Sequence, residues 1–136
     1  MADLSQTAAN VHTNSGASTS SGEAGEAITA GEPVYIDTTD SNKIKKCDAN
    51  VAASAACAGI AVNDAASGQP VTYCTAGSMD LGATLTVSET YILSATAGAI
   101  APVGDMASGM YATNLGIASA ADTFIVDINN SQVLKP

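Results

Sequence analysis

Large apolar side chains are nearly absent from the first 27 residues of this chain and then recur in short, evenly spaced groups. Before residue 28 they are limited to Met1, Leu4 and Val11, among many Ser, Thr, Ala, Gly and Asn residues. A stretch of this composition buries too little apolar surface to offset the entropy lost on ordering. The contrast predicts two parts, a flexible N-terminal arm at residues 1–27 and a folded β domain at residues 28–136.

The apolar groups after residue 27 have the length and spacing of β-strands. Each is closed by Gly, Asp, Asn or Ser, which are common turn formers. Apolar and polar residues alternate strictly in residues 81–88, a period of two that is typical of a strand with one buried face. We therefore predict an all-β fold, a small antiparallel β-sandwich or open β-barrel with an extended N-terminal arm. The predicted strands are residues 28–36, 43–47, 58–62, 71–75, 81–88, 91–94, 110–117 and 124–128.

The core of such a domain is thin, because most of its apolar residues are small. Alanine accounts for 27 residues, whereas Val, Ile, Leu and Phe together account for 25 of 136, or 18%. Burial stabilises by about 25 cal/mol per Å² of apolar surface, so each alanine contributes little. Less than about 20% of these four residue types, with a high net charge, is typical of disordered chains. The strand pattern instead favours a folded domain that completes its burial with subunit partners.

The acidic charge balance excludes nucleic acid as a favoured partner. Thirteen acidic residues face four lysines and no arginine, which gives a formal charge of −9. Phosphate binding requires a basic surface that releases counterions. No run approaches the ~18 apolar residues of a membrane span, and the first residues lack the pattern of a signal peptide. We therefore expect neither nucleic acid nor membrane as a partner, and synthesis in the cytoplasm.

Residues suited to catalysis or metal binding are few and scattered. The single histidine, His12, lies in the predicted arm, where a general base would not be held in position. Cys47, Cys57 and Cys74 lack the paired spacing of a zinc site, and their odd number gives no complete disulfide framework. Buried, reduced thiols are the favoured interpretation. We expect no enzyme activity, no cofactor and no metal.

Three of the four lysines, Lys43, Lys45 and Lys46, fall in one predicted strand. Lysines on an exposed edge strand guard a sheet against edge-to-edge aggregation. They also form the one basic cluster of an acidic chain and are suited to an acidic partner surface. The guard role is favoured over the contact role, and both stay open.

Five segments follow one another in a distinctive order. They are AGEAITAGEPVYI (24–36), AGIAV (58–62), AASGQPV (65–71), YILSATAGAIAP (91–102) and the ending VLKP (133–136). In this order they resemble the small capsid decoration proteins of tailed bacteriophages, which are also called cement or head-stabilising proteins. The resemblance covers most of the chain. It implies an all-β subunit, often a trimer, that is docked on the outer face of an icosahedral shell.

The resemblance and the thin core together favour a structural virion protein. We expect a homotrimer on the outer capsid surface that stabilises the shell by bridging subunits of the major capsid protein. An oligomer that docks at several points gains affinity through effective concentration. The alternative is a module of a phage fibre or surface adhesin that binds glycan or protein.

The expected capsid contacts lie in the mildly apolar start of the arm. Leu4 and Val11 bound a segment able to add a strand to a partner's sheet edge. Lys43, Lys45 and Lys46 are further expected contacts. Deleting residues 2–12 is expected to weaken shell binding and to leave the domain folded.

Overall fold

The computed structural model describes residues 3–136, and within them the protein is all-β, which confirms the predicted fold class. Two 3₁₀ turns, Ala8–Asn10 and Val103–Asp105, lie between strands, and these residues contain no α-helix. No helix within residues 3–136 has the length and apolarity needed to cross a membrane. The strands are β1 (His12–Thr13), β2 (Ser18–Glu23), β3 (Pro33–Asp37), β4 (Lys43–Lys46), β5 (Gly59–Ala61), β6 (Pro70–Asp80), β7 (Thr90–Leu93), β8 (Ile100–Pro102), β9 (Tyr111–Ala120) and β10 (Thr123–Leu134).

Strand β6 is shared by two halves of the sheet, whose strand order is β4-β3-β5-β6-β10-β9-β7-β8. Strands β2 and β1 pair along one edge of β6, whereas β5 and β10 divide its other edge between them. The division falls at Gly77, where φ is +101° and a Cβ atom would meet the backbone of Ala17. Glycine accepts both this dihedral angle and the close approach. Two antiparallel half-sheets therefore diverge from one strand.

The first half-sheet consists of β2, β3, β4 and β5 with β6, and the second of β1, β7, β8, β9 and β10 with β6. The first half-sheet packs on the smaller of two cores. After β2, Ala24 forms a bridge to Ile44, and the Gly25 amide donates to the Ile44 carbonyl oxygen at 2.8 Å. The chain that leaves β2 thus reaches the outer edge of β4. Three of the eight buried residues in this core are alanines, so its apolar area is small, as the composition predicts. The eight are Ala24, Ile28, Val34, Ile44, Ala61, Ala65, Val71 and Tyr73.

The second half-sheet covers the larger core, which holds the only phenylalanine of the chain. Phe124 is fully buried and meets Tyr91 edge to face, with ring centroids 6.0 Å apart. The Tyr91 hydroxyl accepts a hydrogen bond from the Thr86 amide at 2.9 Å, so the polar end of this ring is satisfied. Within residues 3–136, every buried side-chain nitrogen and oxygen has a hydrogen-bond partner. The core is small, but the buried polar side-chain atoms are all hydrogen-bonded.

Residues 3–27 lie on the sheet, and the predicted arm boundary at residue 27 does not separate them from the domain. Their strands β1 and β2 pair with β6, and the Leu4 amide donates to Ile100 of β8 at 2.8 Å. The polar strand β2 is largely exposed, so backbone hydrogen bonds and not side-chain burial hold it there. The segment therefore contacts an outer strand of each half-sheet, β8 near its start and β4 near its end. Residues 1 and 2 lie outside the described range.

The segment with the strictest alternation, residues 81–88, forms a loop, so the strand predicted there is wrong. Leu81 and Leu85 are buried, as the alternation indicates. Gly82, however, has a φ of +70°, and its carbonyl oxygen accepts a hydrogen bond from the Thr7 amide at 2.7 Å. The N-terminal segment thus occupies a position at which a neighbouring strand would pair.

The other predicted strands are present, although their ends differ. The strand predicted to start near residue 28 begins at Pro33, which fits a residue without an amide proton. The strands expected at residues 71–75 and 124–128 extend to become β6 and β10. Strands β1, β2 and β8 were not predicted.

Candidate interaction surfaces

The two expected capsid contacts in the N-terminal segment face the chain's own core. Val11 is buried, and Leu4 is partly buried and packs against the larger core. The Gln6 side-chain amide donates to Gly31 and Leu81 carbonyl oxygens, both at 3.0 Å. These bonds anchor the segment at its middle. In this conformation neither Leu4 nor Val11 is presented to a partner.

Two of the three clustered lysines, Lys43 and Lys45, form ion pairs with acidic groups of the same chain. The Lys45 ammonium lies 2.8 Å from an Asp37 carboxylate oxygen and 3.0 Å from one of Asp40. The Lys43 ammonium lies 3.5 Å from Glu23, whereas Lys46 bonds to Glu26 through its backbone amide, at 2.9 Å. The outer edge of β4 is also partly covered by the bridge to residue 24. The structure therefore neutralises Lys43 and Lys45 internally, and the roles of the three lysines as edge guard or capsid contact stay predictions.

Within this cluster, Asp37 and Lys45 shift the pKa values of one another. The Lys45 hydrogen bond, followed by two from Thr39, lowers the pKa of the Asp37 carboxyl to about 2. The same contact with Asp37, supported by Asp40, raises the pKa of Lys45 above its usual value. A carboxyl with a lowered pKa stabilises the fold above its unfolded pKa of 3.8, and this contribution is lost as pH falls through about 2.

Lys45→Gln is therefore expected to raise the pKa of Asp37 toward 3.8, without reaching it, because the Thr39 hydrogen bonds remain. A carboxyl-detected NMR titration would measure this change. Lys43→Gln, which removes the neighbouring ion pair to Glu23, should leave the Asp37 pKa unchanged. An equal rise in both variants would show that the general field of the cluster, and not the Lys45 contact, controls Asp37.

A polar, open groove runs along one face of the protein. It has a volume of about 810 Å³, and His12, Asp80 and Asp122 lie along it. The His12 imidazole lies 3.8 Å from the Asp80 carboxylate, but its side chain is 61% exposed. Water screens such a pair and leaves the ring loosely held. Within residues 3–136, no group of three or more His, Cys, Asp or Glu side chains could hold a metal ion.

The exposed end of β10 is a candidate interaction surface that the sequence analysis did not identify. Residues 129–134, which we call the projecting end, are all exposed, and Val133 and Leu134 are 62% and 48% exposed. One edge of this stretch pairs irregularly with β9, and Gln132 has a φ of +58°. On the other edge, the pairing with β6 stops at Val126. The irregular backbone disfavours continuous strand addition, so side-chain packing is the more suitable mode of contact.

The projecting end is also uncharged. Its sequence, NNSQVL, contains no charged residue, whereas the whole chain carries a formal charge of −9. Two copies of an acidic protein repel one another least where neither presents charge. The two exposed apolar side chains, Val133 and Leu134, lie beside uncharged polar ones. A sequence signal was present in the apolar pair Val133-Leu134 after a polar run.

No model of a known protein family matches this chain, and no curated protein sequence matches it either. What the protein does must therefore be inferred from its own fold and surfaces.

Proposed function

We propose that this chain is a structural virion protein that decorates the outer surface of a tailed-phage capsid. It acts as a homotrimer and stabilises the shell by bridging subunits of the major capsid protein. The observation that carries the proposal is the projecting end of β10, an exposed and uncharged surface with two apolar side chains on a strongly acidic chain. The similarity of five ordered segments to capsid decoration proteins supports the same class of function.

Self-association is assigned to the projecting end. The smaller core buries few large side chains, so an additional apolar contact between copies would contribute usefully to stability. A second copy is the favoured occupant because the surface is uncharged, whereas most other surfaces of an acidic protein repel a copy of it. A trimer then presents three equivalent sites to a shell, and simultaneous docking multiplies their affinities.

Stabilisation of the shell follows from mass action. A protein that binds the assembled lattice but not separated capsid subunits shifts the equilibrium toward the lattice. Lys43, Lys45 and Lys46 remain the expected shell contacts on the domain. A contact through Leu4 and Val11 would first require residues 3–11 to leave the core, which breaks the Leu4–Ile100 and Thr7–Gly82 hydrogen bonds.

The adhesin alternative is not favoured by a specific observation. Tyr73 and Tyr91 are buried, so they offer no stacking surface to a sugar ring. Only Tyr35 and Tyr111 retain partial exposure among the tyrosines.

The proposal predicts saturable binding to the expanded shells of the tailed phage whose genome encodes the chain. Purified protein would be mixed with expanded and with unexpanded shells, sedimented, and imaged by cryo-electron microscopy. We expect density at local threefold positions on the outer face and a higher temperature of shell dissociation. If the protein bound neither expanded nor unexpanded shells, the decoration role would be rejected. Binding to a glycan array in that case would favour the adhesin.

The deletion of residues 2–12 is a poor test of shell binding, because the segment includes the buried Val11 and the pairing residue His12. Loss of binding in that variant would not be distinguishable from loss of stability. Circular dichroism of the truncated protein would therefore be required beside any binding assay.

A further inference from the structure

A small pocket lies where the N-terminal segment meets the turn before β3 and the turn between β7 and β8. It has a volume of about 290 Å³. Ala8, Ala30, Ala97 and Ala99 contribute to its walls, and Glu32 is the only charged residue among the described residues that line it. Small-molecule sites usually measure about 300–1,000 Å³, so this pocket is better suited to a single side chain. We call it the Glu32 pocket.

The Glu32 carboxylate is fixed in this pocket through one oxygen only. Its Oε1 atom accepts a hydrogen bond from the Thr29 amide at 2.7 Å, which closes the turn before β3. The turn is anchored in addition by Gly31, whose carbonyl oxygen accepts from the Gln6 side chain at 3.0 Å. The Oε2 atom lies 2.5 Å from the position that a Cβ atom of Gly98 would occupy. No residue in the range 3–136 donates a hydrogen bond to Oε2, so this atom can accept one from a ligand.

The surroundings of Glu32 favour a further positive charge. Burial raises the pKa of the Glu32 carboxyl above its ordinary value. The nearby charges of Glu26 and Asp64 add to this rise, whereas the Thr29 hydrogen bond and the charge of Lys46 oppose it. An ammonium group bound at Glu32 would stabilise the charged form of a carboxylate that is partly removed from water.

Lys46 lies close to the pocket but leaves Glu32 without an ion pair. Its Cδ atom is 2.9 Å from the same Cβ position at Gly98, so its aliphatic stem passes beside the carboxylate. Within residues 3–136, the ammonium groups of Lys43 and Lys45 form ion pairs, and that of Lys46 forms none. The position for a cation in direct contact with Oε2 is therefore open.

We propose that the Glu32 pocket binds the side chain of a lysine on a partner protein, with the ammonium on Glu32 and the aliphatic stem against the alanine walls. Lysine combines an apolar stem with a compact positive charge, which matches a pocket that is apolar except for one carboxylate. The inference concerns the chemistry of the pocket and does not depend on the proposed capsid role.

A second copy of this chain is a poor source of that lysine. Lys43 and Lys45 are paired internally, and Lys46 lies beside the pocket of its own chain. The ammonium of the remaining lysine, Lys135, donates to the Met106 carbonyl oxygen at 2.7 Å. The occupant is therefore assigned to a different protein.

The test is an NMR titration of the full chain with a blocked lysine, N-acetyl-lysine N-methylamide. We expect saturable shifts of the Thr29 and Gly98 amides, with a Kd on the order of a millimolar because a single side chain makes few contacts. The pKa of Glu32, followed by carboxyl-detected NMR, should fall when the ligand is bound. The norleucine analogue, which has an apolar side chain without the ammonium, should produce neither change.

Three variants separate the pocket from the general acidity of the chain. Glu32→Gln keeps an acceptor for the Thr29 amide and should weaken binding at least about fivefold. Asp127→Asn removes the same charge from an exposed position on β10 and should change the Kd less than about twofold. Lys46→Gln removes a competing cation and should strengthen binding.

The comparison of the lysine and norleucine ligands on the wild-type chain decides the matter even if a variant folds poorly. Equal shifts from the two ligands, or the absence of any saturable shift, would overturn the proposal. Equal weakening by Glu32→Gln and Asp127→Asn would also overturn it, because net charge would then account for the binding.

Discussion

Gly116→Ala is expected to destabilise the protein by about 3 kcal/mol or more, enough to unfold a marginally stable domain. Gly116 lies in β9 between Tyr91 of β7 and Val126 of β10, with a φ of +155°. A Cβ atom there would overlap the carbonyl oxygen of Ile125 and approach the Phe124 ring to 2.9 Å. The carbonyl belongs to a paired strand and the ring to the larger core, so neither can move away without breaking other contacts.

Urea unfolding followed by circular dichroism would measure this effect, and two other glycines provide matched controls. Gly104→Ala meets open space and should change the unfolding free energy little. Gly68→Ala also meets open space, but its φ of +88° adds backbone strain of about 1 kcal/mol. If Gly116→Ala and Gly104→Ala had the same midpoint of urea unfolding, β9 would accommodate a side chain at position 116.

The sequence contains enough information to predict strands with large apolar residues on one face. Phe124 and Val126 are buried while Asp127 is exposed, as their spacing indicates. Pro33 marks the first residue of β3 because it lacks an amide proton. These features depend on local chemistry alone, so they can be inferred without knowing which strands pair.

Period-two alternation predicts alternating burial, but it does not require a paired backbone. In residues 81–88 the leucines at 81 and 85 are buried as expected, yet Gly82 bonds to Thr7 in place of a strand neighbour. Conversely, β2 pairs along β6 although it is polar and mostly exposed. Its stability comes from the ladder of backbone hydrogen bonds, which side-chain composition does not reveal.

The candidate surfaces were predictable only where neighbours in space are also neighbours in sequence. The lysine cluster is local, because β3 and β4 form a hairpin that places Lys45 beside Asp37. The exposure of Val133 depends on β10 extending beyond its pairing with β6, which is a property of the whole sheet.

Replacing Val133 and Leu134 together by Asp is expected to weaken self-association at least about a hundredfold, or roughly 3 kcal/mol, and to abolish cooperative shell binding. In the proposed trimer these side chains are covered by a sister subunit. Each substitution would then place a carboxylate in an apolar contact, and three copies would bring six new negative charges together. Fold stability should change little, because both side chains are exposed in the single chain.

Sedimentation equilibrium over a range of protein concentrations would measure the association directly. Val87→Asp is the matched control, since Val87 is 56% exposed, close to the 62% of Val133, but lies in the loop after β6. It adds the same type of charge elsewhere on an acidic surface, so it should reduce association only slightly. If Val87→Asp and the double variant weaken association equally, net repulsion accounts for the effect and the projecting end is not the interface. If the wild-type protein stays monomeric at all concentrations and still decorates shells, the copies bind the lattice singly and the projecting end is not an interface between them.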